Sequence, residues 1–205
     1  MNPSQGDHDA GPLPGPEEAD FPPYMYRPSL LGAPFTYRLT EKGLAFEAGR
    51  RTGFAPYETI GRIRMSFKPS SMQSQRYMTE IWPAGLPKLM VVSCSWKSMM
   101  IQERQDKAYS AFIAELHRRL HAAGTATVYE RGSVPLLYWP GLVAFVGVAL
   151  GLVLLVVRAL QVDAKAGAAF IGAFLALFLW QGGHFFGRNK PGAYRPDALP
   201  ANLLP

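Results

Sequence analysis

The chain has 205 residues, 48% hydrophobic and only 18% charged, with a formal net charge of +6. Soluble domains usually carry roughly 25% charged residues, so this composition argues against a purely soluble globular protein, and it also excludes a disordered chain, a coiled coil and a collagen. A single cysteine, Cys94, excludes an internal disulfide framework and any multi-cysteine zinc or iron–sulfur site.

The sign of the charge is segregated. The first 20 residues hold Asp7, Asp9, Glu17, Glu18 and Asp20 and no Lys or Arg, so the rest of the chain carries +11. A basic region beside a membrane points to anionic headgroups. Residues 1–24 also contain Pro3, Pro12, Pro14, Pro16, Pro22 and Pro23. That composition reads as a disordered acidic tail. It has neither the basic start nor the apolar run of a secretory signal, so the N-terminus is expected on the cytoplasmic side.

Residues 25–123 read as one domain of about seven short strands and a closing helix. Phe35, Tyr37 and Leu39 alternate with polar residues, the period of a half-buried strand. Leu44, Phe46 and Ala48 repeat it after the turn Glu41-Lys42-Gly43. The run from Gly49 to Gly53 signals a hairpin. Pro56-Tyr57 interrupts the next strand, and Ile63, Met65 and Phe67 alternate with Arg62, Arg64, Ser66 and Lys68. Further strands are expected at about 76–82, from Lys88 to Cys94, and from Trp96 to Ile101. Tyr109, Phe112, Ile113, Leu116 and Leu120 then follow helical spacing over residues 103–122, with acids at the start and Arg118 and Arg119 near the end, in keeping with the helix dipole.

After a linker at 124–135, residues 136–157 and 167–187 form two uncharged apolar segments joined by a short loop, 158–166. Each is long enough to cross a hydrocarbon core of about 30 Å as a helix. Tyr138, Trp139 and Trp180 lie at their ends, where amphipathic rings favour the interface. The short connection makes the two helices antiparallel neighbours. Arg118, Arg119 and Arg131 precede the first, and Arg188, Lys190 and Arg195 follow the second. The positive-inside rule therefore places both termini in the cytoplasm. The tail 188–205 places Tyr194, Leu199, Leu203 and Leu204 between prolines. Such a stiff, partly apolar segment either lies along a groove of its own domain or of a partner, or frays without a role.

Several residues stand out as candidates for binding. Arg62, Arg64 and Lys68 share a strand face, and Arg50 and Arg51 lie on a hairpin tip. Together they suit anionic headgroups or an acidic partner; alternatively they are a solvated strand face. Gly147 and Gly151 form a Gly-x-x-x-Gly pair, and Gly172 and Ala176 repeat small-x-x-x-small spacing in the second helix. Such positions let helix backbones approach closely, either within the hairpin or against another copy or a larger membrane complex. His117 and His121 are spaced for a shared metal but lack a third ligand, so a polar helix flank is the plainer assignment. Gln181 and His184 are polar groups near the end of the second span. Cys94, in an apolar run, reads as a core residue. No phosphate-binding loop, nucleophile elbow or His-Glu-x-x-His occurs.

The segment Tyr37-Arg38-Leu39-Thr40-Glu41-Lys42-Gly43-Leu44, followed by Pro56-Tyr57-Glu58-Thr59-Ile60-Gly61-Arg62-Ile63-Arg64, resembles the opening of bacterial PH-like domains. The resemblance covers about residues 35–123 and implies an antiparallel β-barrel capped by a C-terminal helix. Members are often fused to membrane helices, and the resemblance brings a binding or assembly role with no catalytic residues. The expectation is thus an α+β chain: a cytoplasmic PH-like barrel followed by a two-helix transmembrane hairpin. It would act as a non-catalytic scaffold or accessory subunit of a membrane complex; the alternative is a binder or sensor of anionic lipid. Its partners would be membrane lipids and other membrane subunits or a second copy, with no nucleic acid, cofactor or metal.

Overall fold

A computed structural model of the chain describes residues 20–68, 76–98 and 102–205. The architecture is α+β. Strands β1 (Tyr24–Tyr26), β2 (Phe35–Leu39), β3 (Gly43–Ala48) and β4 (Arg51–Pro56) form one antiparallel sheet in chain order. The β2–β3 turn is fixed by Thr40, whose hydroxyl donates to the Gly43 carbonyl at 2.9 Å and accepts from its N–H at 3.2 Å. A 3-10 turn at Tyr57–Thr59 then leads into a second sheet.

That sheet holds β5 (Ile60–Phe67), β6 (Tyr77–Pro83) and β7 (Leu89–Val92) in antiparallel array. Beyond β5 lie β10 (Val128–Arg131), parallel to it, and β11 (Gly192–Ala193) at the edge. A small hairpin, β8 (Cys94–Trp96) and β9 (Gln102–Arg104), precedes helix α1 (Asp106–Ala122).

The expected closed barrel does not form among the described residues: the strands divide into separate sheets with free edges. The break falls between β4 and β5, where the 3-10 turn Tyr57–Thr59 carries the chain from one sheet to the other. Two other expectations are corrected. The stretch 124–135 is not a plain linker, because it contains β10. The expected strand from Trp96 to Ile101 is replaced by the β8–β9 hairpin, with residues 99–101 outside the described set. Of the acidic tail, residues 1–19 also lie outside that set, while Tyr24 belongs to β1.

The core lies between the sheets and under α1, whose Tyr109, Phe112, Ile113, Leu116 and Leu120 are buried against Leu39, Leu44, Ile63, Met65 and Ile81. It is rich in tyrosine, and a buried phenol needs an acceptor. Tyr24 donates to the Val92 carbonyl at 2.6 Å, Tyr37 to Met90 at 2.8 Å and Tyr57 to Thr40 at 2.8 Å. Burial pushes the Tyr37 and Tyr57 phenols up to about 12, so they stay protonated donors.

Helices α2 (Pro135–Gln161) and α3 (Lys165–Arg188) form an antiparallel hairpin turned by Asp163 at φ +57°. Pro135 suits the first turn of α2, where its missing N–H would have no partner. At 1.5 Å per residue the helices run about 40 and 36 Å. Both are long and apolar enough to cross a membrane. They contain the segments 136–157 and 167–187, and the connection shortens to residues 162–164.

Candidate functional site

The residues that join the hairpin to the second sheet form a closely built polar site. Asn189, directly after α3, is fully buried. Its side-chain amide donates to the Phe67 carbonyl at 2.7 Å and the Phe185 carbonyl at 3.1 Å, and its oxygen accepts from the Phe67 N–H at 3.0 Å. Asn189 thus pairs with the last residue of β5 as a neighbouring strand would. The Asn189 carbonyl accepts from Ser133 N–H at 2.9 Å, and Gly132 N–H donates to Met65 at 2.8 Å. The Arg188 guanidinium lies 4.7 Å from the Phe67 ring centre, and Tyr138, at the start of α2, donates to the Phe186 carbonyl at 3.1 Å. Both helix ends are therefore fastened to the end of β5.

The C-terminal tail continues this attachment. Tyr194 N–H donates to the Tyr129 carbonyl on β10 at 3.2 Å. The Tyr194 hydroxyl lies 2.8 Å from Nε2 of His117, whose Nδ1 lies 2.7 Å from the Ile113 carbonyl. Leu203 is buried in the core, with Leu199 and Leu204 packed against it. Of the alternatives for the tail, the one seen is packing on its own domain. Both His117 nitrogens are thereby occupied, and no group of three metal-ligating side chains occurs among the described residues. Burial lowers the His117 imidazole to about 4, so it is neutral near pH 7.

The basic candidates do not form one patch. Arg64 is paired with Glu130 on the adjacent strand β10. Arg62 lies 4.2 Å from the Trp82 ring centre, a cation–π contact that Lys88 joins at 5.6 Å. Lys68 stands exposed past the other end of β5, about 20 Å from Arg62 at about 3.3 Å per residue. Arg50 and Arg51 are exposed on the β3–β4 turn, in the other sheet, at the opposite end of β4 from the turn into β5. Glu130 and Trp82 are the partners that sequence reasoning missed; their contacts span distances along the chain that spacing does not encode.

The small-residue motifs face away from the hairpin contact. A Cβ on Gly147, Gly151 or Gly172 would meet nothing within 4 Å, and Ala176 is exposed. The helices meet instead through Phe145, stacked on Phe178 at 4.7 Å between ring centres and beside Phe186 at 5.2 Å. Phe145 lies in the notch left by Gly182, where an added Cβ would sit 2.6 Å from its Cζ. Gly182→Val is therefore expected to splay the hairpin, with a clear loss of thermal stability in detergent, while Gly147→Val stays within about 0.5 kcal/mol as an uncrowded surface change. Comparable melting of the two variants would mean that the notch carries no packing.

Gln181 and His184 are exposed on α3, with His184 edge-on to Trp180 at 5.4 Å. Cys94 is buried, and burial raises its thiol pKa, away from reactive thiolate character. No family model matches the chain, and neither the curated proteins nor the solved structures contain a match to it.

Proposed function

We propose that the chain is an integral membrane protein whose α2–α3 hairpin anchors a PH-like domain at the cytoplasmic face. The domain acts as a non-catalytic scaffold or accessory subunit of a membrane complex. The observation that carries this reading is the surface of the hairpin. Leu136, Leu154 and Phe170 are 80%, 69% and 77% exposed, and apolar side chains are open to the surroundings along both helices. An apolar surface of that extent is unfavourable in water and suits lipid. The PH-like assignment draws support from β1–β7 and from α1, which comes after the β8–β9 hairpin and packs on their shared core. The buried Cys94 and the fully bonded His117 favour a role without catalysis.

Fractionation and reporter fusions test the anchoring. The full chain is expected in the membrane pellet after alkaline carbonate washing, released only by detergent. Reporters at residues 1 and 205 should both be active in the cytoplasm. An externally active reporter at residue 205 would exclude the hairpin topology. Pull-down of the full chain from native membranes should recover a partner in fixed stoichiometry; recovery of the chain with lipid alone would exclude the accessory-subunit role.

A further inference from the structure

We propose that the root of the hairpin binds the phosphate of an anionic phospholipid headgroup through Lys68, Arg131, Arg188 and Lys190, an inference that rests on the membrane reading above. These four cations come from three distant stretches: the residue after β5, the end of β10, and the end of α3 with its following turn. The contacts of Phe67 and Asn189 bring the stretches together. Lys68 follows Phe67, the Arg188 guanidinium lies over the Phe67 ring, and Lys190 follows Asn189. Gly132, next to Arg131, closes on the Asn189 and Lys190 carbonyls. Gly192 leaves the space that the Arg131 side chain crosses, its Nε lying 2.9 Å from where a Cβ would be.

Two features point to an anionic lipid. First, none of the four has a carboxylate within 4.0 Å among the described residues, whereas Arg38, Arg64, Lys88, Arg104, Arg118 and Arg119 each have one. The nearest acid in sequence, Glu130, is taken by Arg64. Second, the cluster lies where the apolar surface begins. Leu136, Leu137 and Trp139 are exposed one turn into α2, beside the end of α3. Cations at that depth are level with headgroup phosphates, and an indole marks the same layer. Arg62, about 20 Å along β5, is beyond the roughly 8 Å over which charge acts through physiological salt.

Each cation at an anionic surface gives about a fivefold preference, the equivalent of about 1 kcal/mol. The test uses the full chain in neutral detergent micelles with equal amounts of phosphatidylglycerol and phosphatidylcholine, the retained lipid being counted by native mass spectrometry. The wild type is expected to retain phosphatidylglycerol at least about tenfold over phosphatidylcholine. The triple variant Lys68→Gln/Arg131→Gln/Lys190→Gln should fall to near parity; Arg188 is kept because it covers Phe67. Arg50→Gln/Arg51→Gln should retain the wild-type preference. Parity in the wild type would overturn the inference without needing any variant to fold. So would an unchanged preference in a folded triple variant, or equal displacement of phosphatidylglycerol by inorganic phosphate at the same concentration. A chain missing from the membrane pellet would overturn the anchoring instead, and the inference with it.

Discussion

Gly132→Ala is expected to destabilise the protein by about 3 kcal/mol or more, far beyond the effect of alanine at its other left-handed glycines. Gly132 has φ +79°, a conformation that disfavours a Cβ by roughly 1–2 kcal/mol. Gly85 and Gly124, at φ +72° and +63°, share that conformation, but a Cβ there would meet nothing within 4 Å. At Gly132 the new methyl would overlap the Asn189 carbonyl oxygen and lie 2.5 Å from that of Lys190. Both are backbone atoms held by the pairing of Asn189 with Phe67, so neither can turn aside. Relief would have to break Gly132 N–H to Met65 or Ser133 N–H to Asn189, leaving buried groups unpaired at about 1–3 kcal/mol each. Thermal unfolding of the three alanine variants in detergent checks this. Equal losses at positions 132, 85 and 124 would show that the root is not held as described. Asn189→Asp tests the same contact from the other side, since a carboxylate cannot donate to the Phe67 and Phe185 carbonyls.

Much of the domain was legible because large apolar residues recur at every second position of its strands. Tyr37 and Leu39, and again Ile63, Met65 and Phe67, are buried as their alternation suggests, although Thr36 and Ser66 between them are buried too, and the spacing of Tyr109 to Leu120 matches α1. β10 was not legible. Of its four residues only Tyr129 is buried, and its neighbour is β5, more than 60 residues away. β1 has only three residues, set between Pro23 and Pro28, and its buried Tyr24 and Tyr26 were lost in the proline pattern. The apolar length of α2 and α3 was plain, but Gly-x-x-x-Gly spacing shows only that two small residues share a helix face. It does not show which face meets the neighbour, and here Gly182 opposite Phe145 is the close contact. The candidate site split for a related reason. The alternation that put Arg62, Arg64 and Lys68 on one strand face could not reveal that Arg62 and Arg64 share the Trp82 ring, that Glu130 pairs with Arg64, or that Lys68 stands apart at the hairpin root.

His117 supplies the second large effect, a loss of stability as the pH falls below 6.5. The imidazole, ordinarily near 6.5, is lowered to about 4 by burial. Between those values the unfolded chain binds the proton and the folded chain does not. Folding is therefore favoured above pH 6.5, and this contribution is lost as the pH falls toward 4, by up to about 3 kcal/mol. Protonation also disturbs the tail. The neutral ring bonds to both the Ile113 carbonyl and the Tyr194 hydroxyl. An imidazolium has two donors and no acceptor, so Tyr194 would lose the acceptor of its proton at Nε2. Glu115 titrates lower: its bond to Arg118 holds its carboxyl down to about 2, so its contribution is lost as the pH falls from about 4.5 to 2. The interval from 6.5 to 4.5 therefore belongs to His117. Deleting residues 193–205 removes Tyr194, Leu199, Leu203 and Leu204 and opens His117 to water. The deletion should lower the melting temperature at pH 7 and flatten the slope between pH 6.5 and 4.5. His117→Gln should flatten the same interval while keeping the tail in place. A truncated chain matching the full-length one in melting temperature and pH profile would mean that the tail does not hold His117 dry.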